Sequence, residues 1–393
     1  MKRTLILAVA ATLVVTACGD DDDSETTTPA VPTEDADSET TSPAPATDGT
    51  DPGSDTTAAP GGTEPEEEAA TFDCAGIEMD EVGGQLTVYS GRDEELVGPL
   101  LDCFGEVSGI ETSVRYASSE EMALQIQAEG DATEADVFFS QTPGALGFLE
   151  GEGLLADLPA ELLDEVDEEY QSDVGQWVGV SGRVRTLAYN TDNVTEDELP
   201  ATVDEVLGEE WAGRIGVPPS NASFQDFVAA MVLERGEDET ATFLDGLVSI
   251  DPQIYEGNSA VVDAIIRGEI DAGLVNHYYA EQFLAEDPEA PVANHFFEQG
   301  DLGSYVLVAG AGQLESSENT EQATAFIGFL LGEGAQEYFR DITKEYPIAA
   351  GVEPVEGLPG IDTVGLPDAD EGALGEANAT AIELIEAAGL PLE

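Results

Sequence analysis

The chain has 393 residues, with 84 Asp and Glu against 11 Lys and Arg, and a formal charge of −73 at pH 7. That balance argues against nucleic acid and anionic membrane surfaces as partners, because both need clustered Lys and Arg. Two His leave a Ser–His–Asp hydrolase little to work with. No GxSxG elbow, HExxH helix or Cys–His pair is found, so the chain reads as a binding protein and not as an enzyme.

Residues 1–18 (MKRTLILAVAATLVVTAC) have a basic start and an apolar core of signal-peptide length, too short to span a bilayer stably. The last four, VTAC, resemble the bacterial lipobox. On that resemblance 1–17 is a lipoprotein signal peptide and Cys18 the lipidated residue that anchors the protein at the outer face of the cell membrane. Residues 18–72 then form a tether rich in Asp, Glu, Thr and Pro. It holds almost no large apolar side chain and cannot offset its chain entropy by burial.

The tether 19–72 carries 16 acids and no base, and Lys2 and Arg3 leave with the signal. The body therefore holds 84 − 16 = 68 acids and 11 − 2 = 9 bases, a formal −59. Such self-repulsion is relieved only when salt screens it. The acidity reads as adaptation of the whole surface to high salt. Cys74 and Cys103 remain in an oxidising, extracytoplasmic setting and are expected to pair.

In the body, 85–89 (QLTVY) alternates as a first strand, followed by a helix over 95–105 with acids in its first turn. Strand 111–116 and helix 119–129 follow, the latter opened by 118–121 (SSEE), a capping-box pattern. Strand 135–139 (ADVFF) and helix 143–153 complete a third unit. Alternation at this spacing means βαβ units and parallel pairing. Residues 178–190 and 303–309 are two long extended runs. They bracket strands at 214–218, 253–255 and 270–275, with helices at 224–234, 260–268 and 279–285. Two such runs around a βα block predict a chain that crosses between two lobes more than once. The expected class is α/β: a two-lobed periplasmic-binding-protein fold with mixed, mostly parallel sheets and hinge strands. Lobe 1 is 73–185 plus 309–360, and lobe 2 is 186–308 plus 361–393.

The run 268–279 (GEIDAGLVNHYY) ends in Tyr278 and Tyr279. Read as the mouth of a buried strand, the pair sits where open α/β sheets bind ligands. Phenolate oxygens are hard anionic donors that suit a hard trivalent metal. A phenol ionises at neutral pH only when a strong cation takes up the charge.

These pieces, with TVYSG (87–91), ADVFF (135–139), GLL (153–155), SGRVR (181–185), WAGRIG (211–216) and GNS (257–259), resemble the ferric-ion-binding solute-binding proteins of ABC transporters over roughly 85–365. The resemblance implies Fe³⁺ on Tyr278 and Tyr279, with a synergistic anion such as phosphate or carbonate on a helix N-terminus. Ser220, Asn221, Ala222 and Ser223 match that loop, and Asn258 and Asn276 match the amides beside it. The loop residues are also ordinary helix caps. The first lobe departs from the family. Asp93 stands where many members carry a His ligand, and Gln141 where they carry a Glu. Asp93 suits a hard metal, or simply the start of a helix. Arg92, Arg183 and Arg185 read either as cleft or supporting residues that hold an anion, or as ordinary ion pairs.

The function this implies is a monomeric, lipid-anchored protein that delivers ferric iron to the transmembrane subunits of an ABC permease. The alternative keeps the fold and binds another solute: an oxyanion or phosphonate, a polyamine, or thiamine.

Overall fold

A computed structural model describes residues 74–77, 79–349, 351–364 and 373–392. The signal peptide, Cys18 and the tether lie outside the described residues. In the first half, β1 (Gln85–Ser90), α1 (Glu94–Ser108), β2 (Glu111–Tyr116), α2 (Ser119–Glu129), β3 (Val137–Ser140), α3 (Pro143–Gly151) and the short α4 (Ala160–Leu163) lead into the long β4 (Val178–Asn190). Next come β5 (Ile215–Val217), α5 (Ala222–Arg235), α6 (Glu237–Ser249), β6 (Gln253–Ile254), α7 (Asn258–Ile266), β7 (Ala272–Asn276), α8 (His277–Glu286) and β8 (Val292–His295). Last are β9 (Val306–Gln313), α9 (Thr320–Leu331), α10 (Glu333–Tyr338), β10 (Tyr346–Pro347), α11 (Ile361–Val364) and α12 (Leu374–Ala388).

The strands run in the order β2-β1-β3-β9-β4-β7-β5-β6, with β8 and β10 pairing β4 to the side. Parallel βα pairing builds both flanks: β1 lies between β2 and β3, and β5 between β6 and β7. The centre is antiparallel. β4 pairs β9 from Val178 to Val184, then β7 from Arg185 to Tyr189 and β8 from Leu187 to Asn190. One strand therefore serves two sheets, and its register changes partner at Val184–Arg185.

That handover separates the cores. One is built on β1, β3, the first half of β4, β9 and α9, and includes Val88, Phe104, Phe138, Val180, Val308 and Phe326. The others hold Leu187, Phe227, Leu244, Leu274 and Ile385, and Val261, Ile265 and Val275. The sequence reading gives 361–393 to the second lobe, but α11 packs Ile361 and Val364 on the first core. Only α12 returns to the second, through Leu374, Ala377, Ala381 and Ile385.

Cys74 and Cys103 form a disulfide with Cα atoms 5.7 Å apart, stapling the first described residues to α1. At the start of α2, Ser118 Oγ accepts from the Glu121 N–H at 3.2 Å. Among the described residues, no helix is long and apolar enough to cross a membrane.

Candidate functional site

Between the two cores lies a cleft of about 610 Å³. The first lobe lines it with Asp93, Ser118, Ser119, Glu120, Gln141 and Arg183, the second with Asn221, Ala222, Ser223, Asp226, Tyr278 and Tyr279. Most of these sit at helix starts, where N–H groups lack intrahelical partners and the helix dipole is positive. Four carboxylates, Asp93, Glu95, Glu120 and Asp226, share the lining with Arg183.

The tyrosines do not end a strand. Helix α8 begins at His277, directly after β7, so Tyr278 and Tyr279 form its first turn. The alternating apolar run hid this boundary, because Asn276 is still extended at ψ 143° and the helix begins with no break in the apolar pattern. Tyr278 is buried and Tyr279 half-buried, with ring centroids 4.2 Å apart and planes tilted by 30°. Burial, and next the neighbouring Tyr279, push the Tyr278 phenol well above its ordinary value. It stays protonated unless a cation replaces the proton.

Behind the pair lies Arg185, fully buried. It donates to Ser223 Oγ and Asn276 Oδ1, each at 3.3 Å, and to the Leu274 carbonyl at 2.7 Å. Burial pulls its guanidinium down to about 9, still cationic at neutral pH, while the two tyrosines and Asp226 act in the opposite sense. Asn221 caps α5 by accepting from the Ser223 N–H at 3.1 Å and the Ser223 hydroxyl at 2.6 Å. Asn258 donates to Asn221 Oδ1 at 3.0 Å and Ser223 Oγ at 3.1 Å. Asn258 and Asn276 thus support the loop from beneath and do not line the cleft. Each keeps one buried polar atom without a protein partner, Asn258 Oδ1 and Asn276 Nδ2.

Of the two readings of Arg92, the cleft residue is corrected to the ordinary ion pair: it is buried against Glu345 at 2.8 Å and donates to Ser181 Oγ at 3.2 Å. Ser220 is exposed and is not among the residues lining the cleft; its carbonyl accepts from Gln225.

In the first lobe, Asp93 occupies the N-cap position of α1 but makes no capping bond, and its side chain stays exposed at the cleft. Gln141 has its backbone N–H on Ser119 Oγ and its carbonyl on Arg183, while Oε1 is buried without a partner. Arg183 and Arg185 form no ion pair among the described residues, whereas Arg92, Arg115, Arg214, Arg235, Arg267 and Arg340 all do. Arg183 lines the cleft, Arg185 lies buried behind it, and the buried Asp226 carboxyl feels the charge of both.

Asp226 is a cleft residue that the sequence reading missed. It is buried one turn into α5, three residues after Ser223, and accepts from Asn378 at 3.2 Å. Burial pushes its carboxyl up to about 7; Arg183 and Arg185 act against the shift and Glu120 adds to it. Its signal was a lone acid inside the apolar stretch FQDFVAAM. Among the described residues, no group of three or more His, Cys, Asp and Glu comes together as a metal site.

Residues 132–359 match the family model of the bacterial extracellular solute-binding proteins. The chain is 30% identical over 308 residues to the Fe(3+)-binding periplasmic protein of Serratia marcescens, covering 78% of this chain and 90% of that one. It is 32% identical over 309 residues to the major ferric iron-binding protein of Neisseria meningitidis serogroup B, covering 78% and 93%. Among solved structures, iron-bound HitA from Pseudomonas aeruginosa superposes with a TM-score of 0.71 at 32% identity, over 78% of this chain and 99% of that one. A Trichodesmium protein in complex with iron and citrate gives 0.67 at 26% identity, over 78% and 100%.

Proposed function

Because the chain belongs to the bacterial extracellular solute-binding proteins, in the group of the ferric-iron-binding periplasmic proteins, we propose that it captures ferric iron on Tyr278 and Tyr279 and passes it to the transmembrane subunits of an ABC permease. The observation that carries this reading is the stacked phenol pair in the first turn of α8, facing the cleft with Arg185 behind it. Phenolate is a hard donor matched to Fe³⁺. The cation supplies the charge that makes ionisation of a buried phenol favourable. A synergistic anion, phosphate or carbonate, fills the remaining coordination at Asn221, Ala222 and Ser223, where N–H groups and the dipole of α5 favour negative charge. Closing of the lobes about the β4 handover completes the site with Asp93.

The test is direct. Tyr278→Phe and Tyr279→Phe remove one donor each and should weaken ferric binding by at least about a hundredfold while leaving the fold intact, since a charge-bearing ligand is lost. Wild-type protein should show a visible phenolate-to-iron charge-transfer band. Unchanged iron titrations for both variants would end the iron reading.

The anchor belongs to the same proposal: Cys18 carries lipid and 19–72 spaces the body from the membrane. Cys18→Ser should move the protein from the membrane pellet to the soluble fraction. A variant that still pellets would mean another anchor.

A second reading rests on Arg183, at the cleft wall, and Arg185, buried behind it with a bond to Ser223 Oγ, neither held in an ion pair among the described residues. They favour an oxyanion as the sole cargo over a polyamine or thiamine, both cationic. Colourless protein that takes up phosphate with no metal would support it.

A further inference from the structure

The first turn of a helix is its least anchored part, because its N–H groups lack intrahelical partners. Here that turn carries the tyrosine pair, and Asn276, at the N-cap, makes no capping bond. Asn294 of β8 donates to the His277 carbonyl at 2.9 Å, within the second lobe, and the tie to the first lobe is the side chain of His277. Its Nδ1 accepts from the Val184 N–H at 3.2 Å, so its Nε2 carries the proton and donates to the Lys344 carbonyl at 2.9 Å. The ring lies 4.7 Å from that of Tyr346 and is wholly buried.

Both partners belong to the first lobe. Val184 is part of the first core and lies where β4 changes sheets. Lys344 is one of two described non-glycine residues with positive φ, at 63°, and it ends the π-helical turn Phe339–Thr343. A non-glycine residue in that region persists only when its surroundings fix it. The fixing is visible on both sides. From the second lobe, α8 grips the turn through His277 and, at 3.4 Å, through Gln282 on the Thr343 carbonyl. From the first, Glu345 accepts from Arg92, Ser181 and Thr343 at 2.8, 3.2 and 3.1 Å. Arg92 is the residue before Asp93. A path of covalent and hydrogen bonds therefore runs from the exposed Asp93 through buried Arg92 and Glu345, then Lys344 and His277, to Tyr278.

We infer that His277 is a positioning residue: it pins the start of α8 to the Lys344 turn and to β4, and so sets where the two phenols stand relative to the first lobe. The inference rests on the reading of Tyr278 and Tyr279 as ferric donors. Coordination tolerates only a few tenths of an ångström, so a donor pair on an unpinned turn holds metal less well although both donors remain.

Three variants separate pinning from mere packing. His277→Asn can keep the Val184 bond, and His277→Gln can keep the Lys344 bond. His277→Phe keeps the ring volume and neither bond. Each is purified and titrated with ferric nitrilotriacetate, following affinity, iron release rate and the position of the charge-transfer band, with melting as the check on folding. The Phe variant should bind about tenfold or more weakly, the scale of losing a buried hydrogen bond. It should release iron faster and shift the band, with Asn and Gln intermediate. A folded Phe variant with the wild-type band and affinity overturns the inference. Should Phe not fold, the same decision falls to Asn and Gln, and wild-type behaviour of both overturns it. Wild-type protein that binds no iron and shows no band overturns instead the iron reading beneath it.

Discussion

Gly144 of the first lobe and Gly375 at the start of α12 meet backbone to backbone: a Cβ on Gly144 would lie 2.6 Å from the Gly375 nitrogen. The reverse contact is looser, since a Cβ on Gly375 would stand 3.1 Å from the Gly144 carbonyl oxygen. α3 and α12 can lie this close only while both residues lack side chains. The contact joins a helix of the first lobe to one packed on the second core.

If this closeness is part of cargo capture, Gly144→Ala should disfavour the closed arrangement. Overpacking against backbone costs about 1–3 kcal/mol, which corresponds to roughly 5- to 150-fold in ferric affinity. Gly375→Ala should cost less. Affinity, together with the radius of gyration in solution with and without ferric iron, checks both. Equal affinities for wild type and Gly144→Ala would show that the two helices do not meet in the loaded protein.

Asp226 gives a prediction in pH. Burial raises its carboxyl from 3.8 to about 7 in the folded protein, so the folded state holds a proton that the unfolded chain has released across that window. Stability contributed by this group is therefore fully present below about pH 4, is lost as pH rises towards 7, and changes no further above that. The upper limit is about 4 kcal/mol, three pKa units at 1.36 kcal/mol each. Asp226→Asn keeps an acceptor for Asn378 and carries no charge. Its stability relative to wild type should grow as pH rises from 4 towards 7 and then level off in denaturant titrations. Parallel profiles for the two proteins would mean that the carboxylate is compensated by Arg183 and Arg185 more fully than its burial suggests.

The sequence read well where local pattern and global fold agree. The alternating run 85–89 marked β1, while β3 and β4, buried along their whole length, were marked by strand-forming runs and the turn residues that bound them. The start of α8 was misplaced because Asn276 and the residues before it are buried whether strand or helix follows, so the apolar pattern carried no boundary. Arg92 was left between a cleft role and an ion pair because its partner, Glu345, lies 253 residues away, a distance over which composition says nothing about pairing. Asp226 was legible in principle, as a charge among apolar helix residues. Its neighbours Arg183 and Glu120 arrive from other elements and only the fold brings them together.

The first lobe's share in binding is the last question the geometry sharpens. Asp93 and Gln141 both line the cleft with side-chain oxygens that no described protein group occupies: the Asp93 carboxylate makes no capping bond, and Gln141 Oε1 is buried and unpartnered. Position does not separate them, but charge does. A carboxylate offsets part of a trivalent charge, whereas an amide oxygen offers only a dipole, and hard cations prefer the former. Asp93→Ala should therefore weaken ferric binding by roughly tenfold or more and shift the charge-transfer band, and Gln141→Ala should change either only slightly. Were Asp93 merely a favourable acid at the start of α1, its loss would cost about 0.3–1 kcal/mol of stability and leave the spectrum untouched. Titrations and spectra of the two variants, taken side by side with melting curves, separate these outcomes. A larger loss for Gln141→Ala would place the buried amide oxygen, not the exposed carboxylate, against the cargo.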